Sequence, residues 1–354
     1  MNEAGAITPA ELDLASRNHA MPLEALRYDL TPAGLHYLLV HYDIPEVDPA
    51  TWRLEIDGAV GTPLSLSLDD LRSRPRVSAP VTLECAGNGR ALLDPRPISQ
   101  PWLLGAVGNA AWTGTPLAPL LREAGPSEAA VDVGFAGADH GLEGDVEQDY
   151  ERGLPMDEAM RDDLLLAYEM NGHPLPPQHG FPLRLIVPGW YGMTSVKWLR
   201  RIRVLDSPFD GYQNVRGYRM RATEDDVVGS PVERIHVRSL LLPPGYPSFQ
   251  PRVRHVSAGR VTVRGRAWSG YGPIVRVAFS ADGGAGWADA ELGPEPAPHA
   301  WRAWSFAWDA EPGPHELCCR ATDASGATQP LQPEWNVGGY ANNAVQRVQV
   351  EVAP

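Results

Sequence analysis

The chain has 354 residues, a length at which proteins usually fold as more than one domain. Its formal net charge of -14 at pH 7 argues against a nucleic-acid partner, whose backbone requires an extended basic face. The sequence has no apolar run of about 18 residues and opens with neither a signal core nor a twin-arginine motif, so we expect a cytoplasmic protein that binds no membrane.

Short strands and modest helices are predicted in the first two thirds of the chain. Residues 52–56, 81–85 and 183–187 are short strand-like runs. Ser67 and Asp70 have the spacing of a capping box, which predicts a short helix over residues 67–71.

A second helix has clear start and stop signals. Thr115 can cap it, Pro116 suits its first turn, and Gly125 stands where a left-handed residue ends a helix. Three leucines form its apolar stripe: Leu117, Leu120 and Leu121.

The pattern changes near residues 229–231, and residues 242–247 are too rich in proline to predict regular structure. We therefore divide the chain into domains of residues 1–235 and 236–354. The second domain has turn signals between strand candidates and no helical periodicity, which predicts an all-β sandwich of immunoglobulin-like size. The strand candidates are residues 259–268, 274–279, 301–308, 315–322 and 345–352.

The sharpest local motif is VTLECAGNGR at residues 81–90, an alternating strand that runs into a turn of glycines and asparagine. Such a turn can take positive φ, so it would end the strand at Cys85 and hold the sulfur at the rim of a cleft. Arg90 is close enough in sequence to favour a thiolate. The same pattern fits a buried cysteine that packs as a small hydrophobe, and local sequence leaves both interpretations open.

The other two cysteines, Cys318 and Cys319, are adjacent in a predicted strand, where successive side chains point to opposite faces. We therefore do not expect them to bind a metal together, and three cysteines without a disulfide pattern fit a reducing compartment. Trp301, Trp304 and Trp308 are predicted to lie in the core and interface of the sandwich.

Two further segments could carry chemistry. HGFPLR at residues 179–184 and the run at 188–198 gather glycine amides, a hydroxyl and cations, which suit phosphate or another compact anion. A solvated loop with incidental arginines is the alternative. Taken alone, Asp139-His140-Gly141 has the pattern of a plain turn.

As a set, CAGN at residues 85–88, LAYEMNG at 166–172, HGFP at 179–182 and VKWL at 196–199 resemble the sulfite oxidase family of molybdopterin enzymes. GRAWSG at residues 265–270 and PEWN at 333–336 resemble that family's dimerisation domain. The resemblance runs from about Ala33 to Val352. It implies an α+β molybdopterin-binding domain of the sulfite oxidase type, then an all-β immunoglobulin-like sandwich, and a homodimer formed through this C-terminal domain.

The resemblance also implies a site with molybdenum and molybdopterin as cofactors. Cys85 would ligate the metal with a soft thiolate. Positions that hold the pterin and its phosphate fall on Tyr37, His41, Asp139, His179, Arg184, Ser195, Val196 and Lys197, and more loosely on residues 38–40. Positions that line the substrate pocket fall on Arg90, Trp102 and, with a one-residue gap, Tyr218.

Two positions depart from the family pattern. Leu39 and Gly338 stand where sulfite-oxidising members carry arginine. If each arginine made a charge-assisted bond of roughly 1.5 to 3 kcal/mol, losing both would weaken oxyanion binding by about 10² to 10⁴ fold, which disfavours sulfite as the substrate.

The function implied by the resemblance is two-electron oxygen-atom transfer to or from a small substrate at an oxo-molybdenum centre. We expect no haem module before the first domain, so electrons would pass to a separate carrier. An oxyanion or sulfoxide reductase on the same scaffold is the nearest alternative. Two other classes stay open: a cysteine hydrolase with His179 or His41 as the base of Cys85, and a non-catalytic scaffold.

Overall fold

The computed structural model describes residues 6–354. Helices are short, and none in this range is long and apolar enough to cross a bilayer. They are α1 (Pro9–Arg17), α2 (Leu68–Arg72), α3 (Leu117–Ala124) and α4 (Met156–Ala159).

Most of the regular secondary structure is β-strand. The first part of the chain contains β1 (Leu54–Gly58), β2 (Leu64–Leu66), β3 (Val77–Glu84), β4 (Val107–Pro116), β5 (Asp132–Glu143), β6 (Val146–Pro155), β7 (Leu165–Met170), β8 (His173–Pro174), β9 (Arg184–Ile186), β10 (Leu199–Leu205), β11 (Arg219–Met220) and β12 (Ser230–Pro231). The second part contains β13 (Arg238–Leu242), β14 (Tyr246–Pro247), β15 (Arg254–Ser257), β16 (Gly259–Trp268), β17 (Ile274–Ser280), β18 (Ala288–Asp289), β19 (Glu291–Leu292), β20 (Arg302–Ala310), β21 (Gly313–Asp323) and β22 (Gln346–Ala353).

Two larger sheets, one mixed and one wholly antiparallel, form the first part together with their helices. One sheet has the order β2-β1-β10-β5-β6, and the other has the order β3-β4-β7-β8 with β9 paired to β7. Ile56 on β1, Leu166 on β7 and Leu120 on α3 belong to one buried cluster, so the core lies between the sheets and is closed by the helix. Packing of the two sheets around this core brings the ends of β3, β5 and β9 close together.

The predicted helices are present, with one difference at a cap. Ser67 and Asp70 form the capping box of α2, and Gly125 ends α3 in the left-handed region at φ 68°. Thr115 does not cap α3, because β4 continues through it and pairs it with Leu166. Pro116 is the cap instead, and it makes no side-chain hydrogen bond.

The second part is a sandwich of a four-stranded sheet, β13-β16-β20-β19, and a six-stranded sheet, β14-β15-β22-β21-β17-β18. The five predicted strands correspond to β16, β17, β20, β21 and β22, which confirms the all-β fold. The expectation of no regular structure over residues 242–247 is wrong at Leu242, which ends β13 and pairs with Arg264. It is also wrong at Tyr246 and Pro247, which pair with His255 and Arg254 at the sheet edge, where proline is tolerated. The predicted domain boundary at 235/236 falls between β12 and β13.

The interior of the sandwich explains the cysteines and tryptophans of this part. Trp304, Trp308 and Cys319 belong to its core cluster. Cys318 is also fully buried and pairs with Ser280 of β17. Because Cys318 and Cys319 are successive residues of β21, their side chains point to opposite faces of the sheet. Trp301 lies in a different cluster, in which side chains from both parts of the chain pack together.

Candidate active site

A cavity of about 550 Å³ lies where the segment before β1 meets the end of β3, β5 and the loops on either side of β9. Many of the residues named from the sequence share its wall: Tyr37, His41, Cys85, Asp139, His179, Arg184, Ser195 and Lys197. These residues come from five separated stretches of chain, so folding, and not sequence proximity, brings them together.

Four residues named from the sequence lie outside this wall. Val196 is buried in the core of the first part, with 1% of its surface exposed. Trp102 packs in the same cluster as Cys85, and its indole nitrogen is buried without a partner in the protein. Tyr218 contacts the wall through His41, and Arg90 lies on the turn after Cys85.

Sequence reasoning missed other members of the wall, notably His36, Tyr150, Gly192 and Met193. Gly192 and Met193 lie inside the run at 188–198, which predicted an anion site without assigning roles to them. Tyr150 is on β6, and no motif marks it. Its hydroxyl donates to the Met193 carbonyl at 2.8 Å, a contact that only the fold creates.

The turn after β3 exposes the Cys85 sulfur to the cavity. The strand ends at Glu84, the Cys85 amide donates to the Ala106 carbonyl at 2.9 Å, and the turn closes at Gly89 with φ 89°. Burial raises the pKa of the Cys85 thiol, and Arg90 opposes that shift without reversing it. The charge of Arg90 thus favours the thiolate but does not outweigh burial, and ligation by a metal would supply the remaining stabilisation.

Arg90 is held beside this turn by backbone carbonyls. Its Nε donates to the Gly338 carbonyl at 2.8 Å, and its guanidinium lies 5.1 Å from the centre of the Tyr340 ring. A Cβ on Gly338 would be 2.3 Å from the Tyr340 ring. The ring therefore fills the space that a side chain at position 338 would need.

Arg184, which is buried, and Lys197, which is partly exposed, give the cavity its positive character. Arg184 donates to the Ser195 and His179 carbonyls at 3.3 Å, and Lys197 Nζ donates to the Leu39 carbonyl at 2.7 Å. Within residues 6–354 neither cation forms a salt bridge. Burial lowers the pKa of Arg184 to about 10 and lowers that of Lys197, although the charge of Asp139 opposes the shift at the lysine. Cations in this state favour a bound anion.

The wall contains three histidines, and burial keeps each of them neutral near pH 7; it lowers the pKa of His36 to about 4. Burial lowers the pKa of His41 to about 3 and that of His179 to about 2, with nearby cations adding to the effect. His41 Nε2 shares a hydrogen bond of 2.6 Å with the Tyr218 hydroxyl. His179 therefore offers a neutral ring for hydrogen bonding, and His41 orients Tyr218.

Several polar atoms of the wall have no hydrogen-bond partner among residues 6–354: His36 Nε2, His179 Nε2 and Asp139 Oδ1. Buried polar atoms are almost always paired in native proteins, so these atoms indicate a polar ligand. Asp139 was expected to lie in a turn, but it is on β5, where a bulge breaks the pairing with β6 between Ala136 and His140. Asp139 therefore differs from a surface carboxylate, because it lies at a bulge and burial raises its pKa.

A large polar cofactor that carries an anionic group fits these observations. The cations match a phosphate, the unpartnered atoms match a heterocycle with many donors and acceptors, and Cys85 offers one soft metal ligand. Because the described residues offer no cluster of three or more metal ligands, a metal bound at Cys85 would depend on the cofactor for its other ligands. The residues present therefore fit a molybdenum bound to a pterin.

Lys197 is the only lysine of the chain, which makes it a selective probe of the cavity. Because its pKa is lowered, we expect more of its amine to be neutral and nucleophilic at pH 8 than for an exposed lysine. An amine-reactive reagent should label Lys197 in cofactor-free protein and leave it unlabelled in loaded protein, as read by peptide mass spectrometry. Equal labelling of both forms would contradict a cofactor contact at Lys197.

Comparison with known proteins identifies the two parts. Residues 41–213 match the family model described as oxidoreductase molybdopterin binding domain, and residues 233–353 match the Mo-co oxidoreductase dimerisation domain. Sulfite oxidase of Gallus gallus is 39% identical over 341 residues, which are 90% of this chain and 72% of that protein. Nitrate reductase [NADH] 1 of Oryza sativa is 33% identical over 91% of this chain and 38% of that protein.

Among solved structures, the sulfane dehydrogenase SoxCD from Paracoccus pantotrophus superposes with a TM-score of 0.82. It is 29% identical and covers 94% of this chain and 84% of that chain. The chain spans 62% of the length of the mitochondrial sulfite oxidases of mouse and human that it also matches. The molybdopterin-binding domain, the dimerisation domain and these relatives together show that the chain belongs to the sulfite oxidase family of molybdopterin-dependent oxidoreductases.

Proposed function

We propose that the chain is a two-electron oxidoreductase that transfers an oxygen atom to or from a small substrate, with Cys85 as the protein ligand of molybdenum. One observation carries the proposal: Cys85 shares a cavity with two cations and with polar atoms that have no hydrogen-bond partner among the described residues. When bound, the molybdenum cofactor supplies the two-electron redox centre and the site of oxygen exchange.

The chain's own residues would bind and orient that cofactor. Arg184 and Lys197 bind the phosphate, because both line the cavity and neither has a carboxylate partner within residues 6–354. His179 and Asp139 hydrogen-bond the polar edge of the pterin. Cys85 gives its sulfur to the metal, which offsets the cost of burying a thiolate.

On the substrate side, Tyr218 and Arg90 are the principal groups. Burial raises the pKa of Tyr218 well above its usual value, so the phenol stays protonated and can donate a hydrogen bond. His41 holds its hydroxyl at 2.6 Å. Arg90 presents a positive charge whose orientation is set by the Gly338 carbonyl and the Tyr340 ring.

A cysteine hydrolase is less compatible with this geometry. It needs a lowered thiol pKa and a histidine base, whereas burial raises the pKa of Cys85. In the part of the chain that the structure describes, no histidine is hydrogen-bonded to Cys85. His41 is engaged by Tyr218, and burial keeps His179 from accepting a proton near pH 7.

Reduction of an oxyanion or of a sulfoxide is the second candidate on the same scaffold. This candidate is favoured because the pocket has less positive charge than the pattern of the sulfite-oxidising members, in which arginines stand at positions 39 and 338. Here Leu39 lines the cavity, and the Tyr340 ring takes the space next to Gly338. A substrate with less negative charge than sulfite fits such a pocket better.

The substitution Leu39→Arg tests this account of the substrate. We expect it to lower the KM for sulfite by about 10-fold or more, because a charge-assisted bond contributes roughly 1.5 to 3 kcal/mol. Leu39→Met, which adds no charge, is the control and should leave the KM unchanged. A KM that stays constant in Leu39→Arg would show that position 39 does not contribute to anion binding.

Metal analysis of purified, fully matured protein tests the proposal as a whole. We expect about one molybdenum per chain together with extractable pterin. Assays with sulfite, nitrate and sulfoxides, run in both directions with artificial electron carriers, then identify the substrate class. Protein without molybdenum or pterin would end the proposal.

We also propose that two copies associate through the second domain and that a separate carrier exchanges electrons with the site. The match of residues 233–353 to a dimerisation domain supports the first statement. Light scattering at micromolar concentration should give twice the mass of one chain. A monomer would count against the dimer.

A further inference from the structure

Side chains of the second domain hold the turn that carries Cys85. Glu84, the last residue of β3, is 1% exposed, and its carboxylate accepts a hydrogen bond of 2.7 Å from Trp268 Nε1 on β16. Asn88 Nδ2 donates to the other carboxylate oxygen at 2.9 Å, and Arg238 Nε on β13 lies 3.1 Å from that oxygen as an ion-pair partner. Glu84 thus connects both ends of the turn to two strands of the sandwich.

The segment between β21 and β22 adds two further contacts. The Ala341 amide donates to the Ala86 carbonyl at 2.8 Å, and Asn342 Nδ2 donates to the Gly89 carbonyl at 2.8 Å. A Cβ on Gly89 would lie 3.0 Å from Asn342 Nδ2, in a left-handed conformation that side chains rarely adopt. The turn is therefore fixed from the second domain along most of its length.

A buried carboxylate is costly unless charged or polar partners compensate it. Two of the three side-chain partners of Glu84, Trp268 and Arg238, come from the sandwich. Arg238 is itself only 2% exposed, so neither member of the ion pair can turn to solvent. A network of this kind selects one geometry, because moving the turn breaks contacts that water does not replace.

We propose that Glu84 is a positioning residue, which sets the place of the Cys85 sulfur through Trp268, Arg238 and Asn88. The second domain, which matches the family's dimerisation domain, then also shapes the metal site. This inference rests on the proposed role of Cys85 as the molybdenum ligand.

The substitution Trp268→Phe removes one donor and keeps an aromatic ring. In full-length, cofactor-loaded protein, we expect amide hydrogen exchange of residues 85–90 to become about tenfold faster, which corresponds to about 1.4 kcal/mol at 25 °C. Trp304→Phe is the matched control. Trp304 is 2% exposed against 3% for Trp268, and its indole nitrogen has no partner within the protein, so the same amides should exchange at the wild-type rate.

Absorption from sulfur-to-molybdenum charge transfer gives the second measurement, since it depends on the position of the sulfur. We expect this band to shift in Trp268→Phe and in Glu84→Gln, and to stay unchanged in Trp304→Phe. Unchanged exchange in Trp268→Phe overturns the positioning role, as does faster exchange with an unshifted band. A wild-type protein without the band overturns the ligand role of Cys85 instead, while the exchange rates still decide whether the second domain holds the turn.

Discussion

Cys85→Ser protein is expected to lose turnover while it keeps its pterin. Serine offers a hard, protonated oxygen in place of a soft thiolate, and changes to groups that only support a metal ligand already cost about 10- to 100-fold. Loss of the ligand itself should therefore lower kcat by more than about 100-fold. The pterin stays bound because Arg184 and Lys197 are unchanged. The measurements are kcat, molybdenum content and the fluorescence of extracted pterin.

Cys318→Ser is the matched control, since it makes the same atomic exchange at a fully buried cysteine of β21. It should reduce the free energy of unfolding and leave kcat per bound molybdenum unchanged. Cys85→Ser protein that retains both molybdenum and wild-type kcat would rule out ligation by this sulfur.

Arg184→Met is expected to weaken cofactor binding and to stabilise the cofactor-free protein. The arginine stays charged at pH 7, yet burial lowers its pKa to about 10, so the folded state disfavours the charge that the unfolded state carries freely. Removing the charge relieves that cost below pH 10. It also removes a charge-assisted contact worth roughly 1.5 to 3 kcal/mol, so pterin should bind about 10- to 100-fold more weakly. Cofactor content after dialysis and urea unfolding of cofactor-free protein measure the two effects.

Arg254→Met separates a cofactor effect from the general effect of removing a buried arginine. Arg254 is 7% exposed against 6% for Arg184, and its guanidinium also donates to backbone carbonyls, at 2.8 to 3.1 Å. It lies on β15 in the second domain, away from the cavity. We expect this variant to keep its cofactor, because Arg254 does not line the cavity. If Arg184→Met behaved in the same way, Arg184 would be a structural residue and not a phosphate ligand.

Local patterns predicted helices α2 and α3 and the main strands of the sandwich, but they missed α1 and the long strands β4, β5 and β6. Ser67 and Asp70 carry the capping geometry of α2 in their own side chains, and β22 alternates buried and exposed residues along its length. Such features depend on neighbours within a few residues. Thr115 shows where this reasoning fails, because its role depends on β7, about 50 residues further along the chain, whose pairing extends β4 through it.

The residues of the candidate site could be predicted from the sequence chiefly through motifs. CAGN and HGFP mark Cys85 and His179 directly, and both line the cavity. Asp139 has the local pattern of a turn, and only pairing across the sheet places it in a bulge at the cavity wall. The contact between Glu84 and Trp268 spans 184 residues and links two domains, so no local signal could predict it.

Because Lys197 is the only lysine of the chain, every other basic side chain is arginine or histidine. Exposed guanidinium groups keep their charge up to about pH 12, so the outer positive charges do not titrate in moderately alkaline solution. Apart from the terminal amine, Lys197 is the one amine that can lose its proton there, and burial already lowers its pKa. If Lys197 holds the cofactor's phosphate as proposed, alkaline inactivation would report the release of that phosphate, while the ion pairs between arginines and carboxylates on the exterior stay intact.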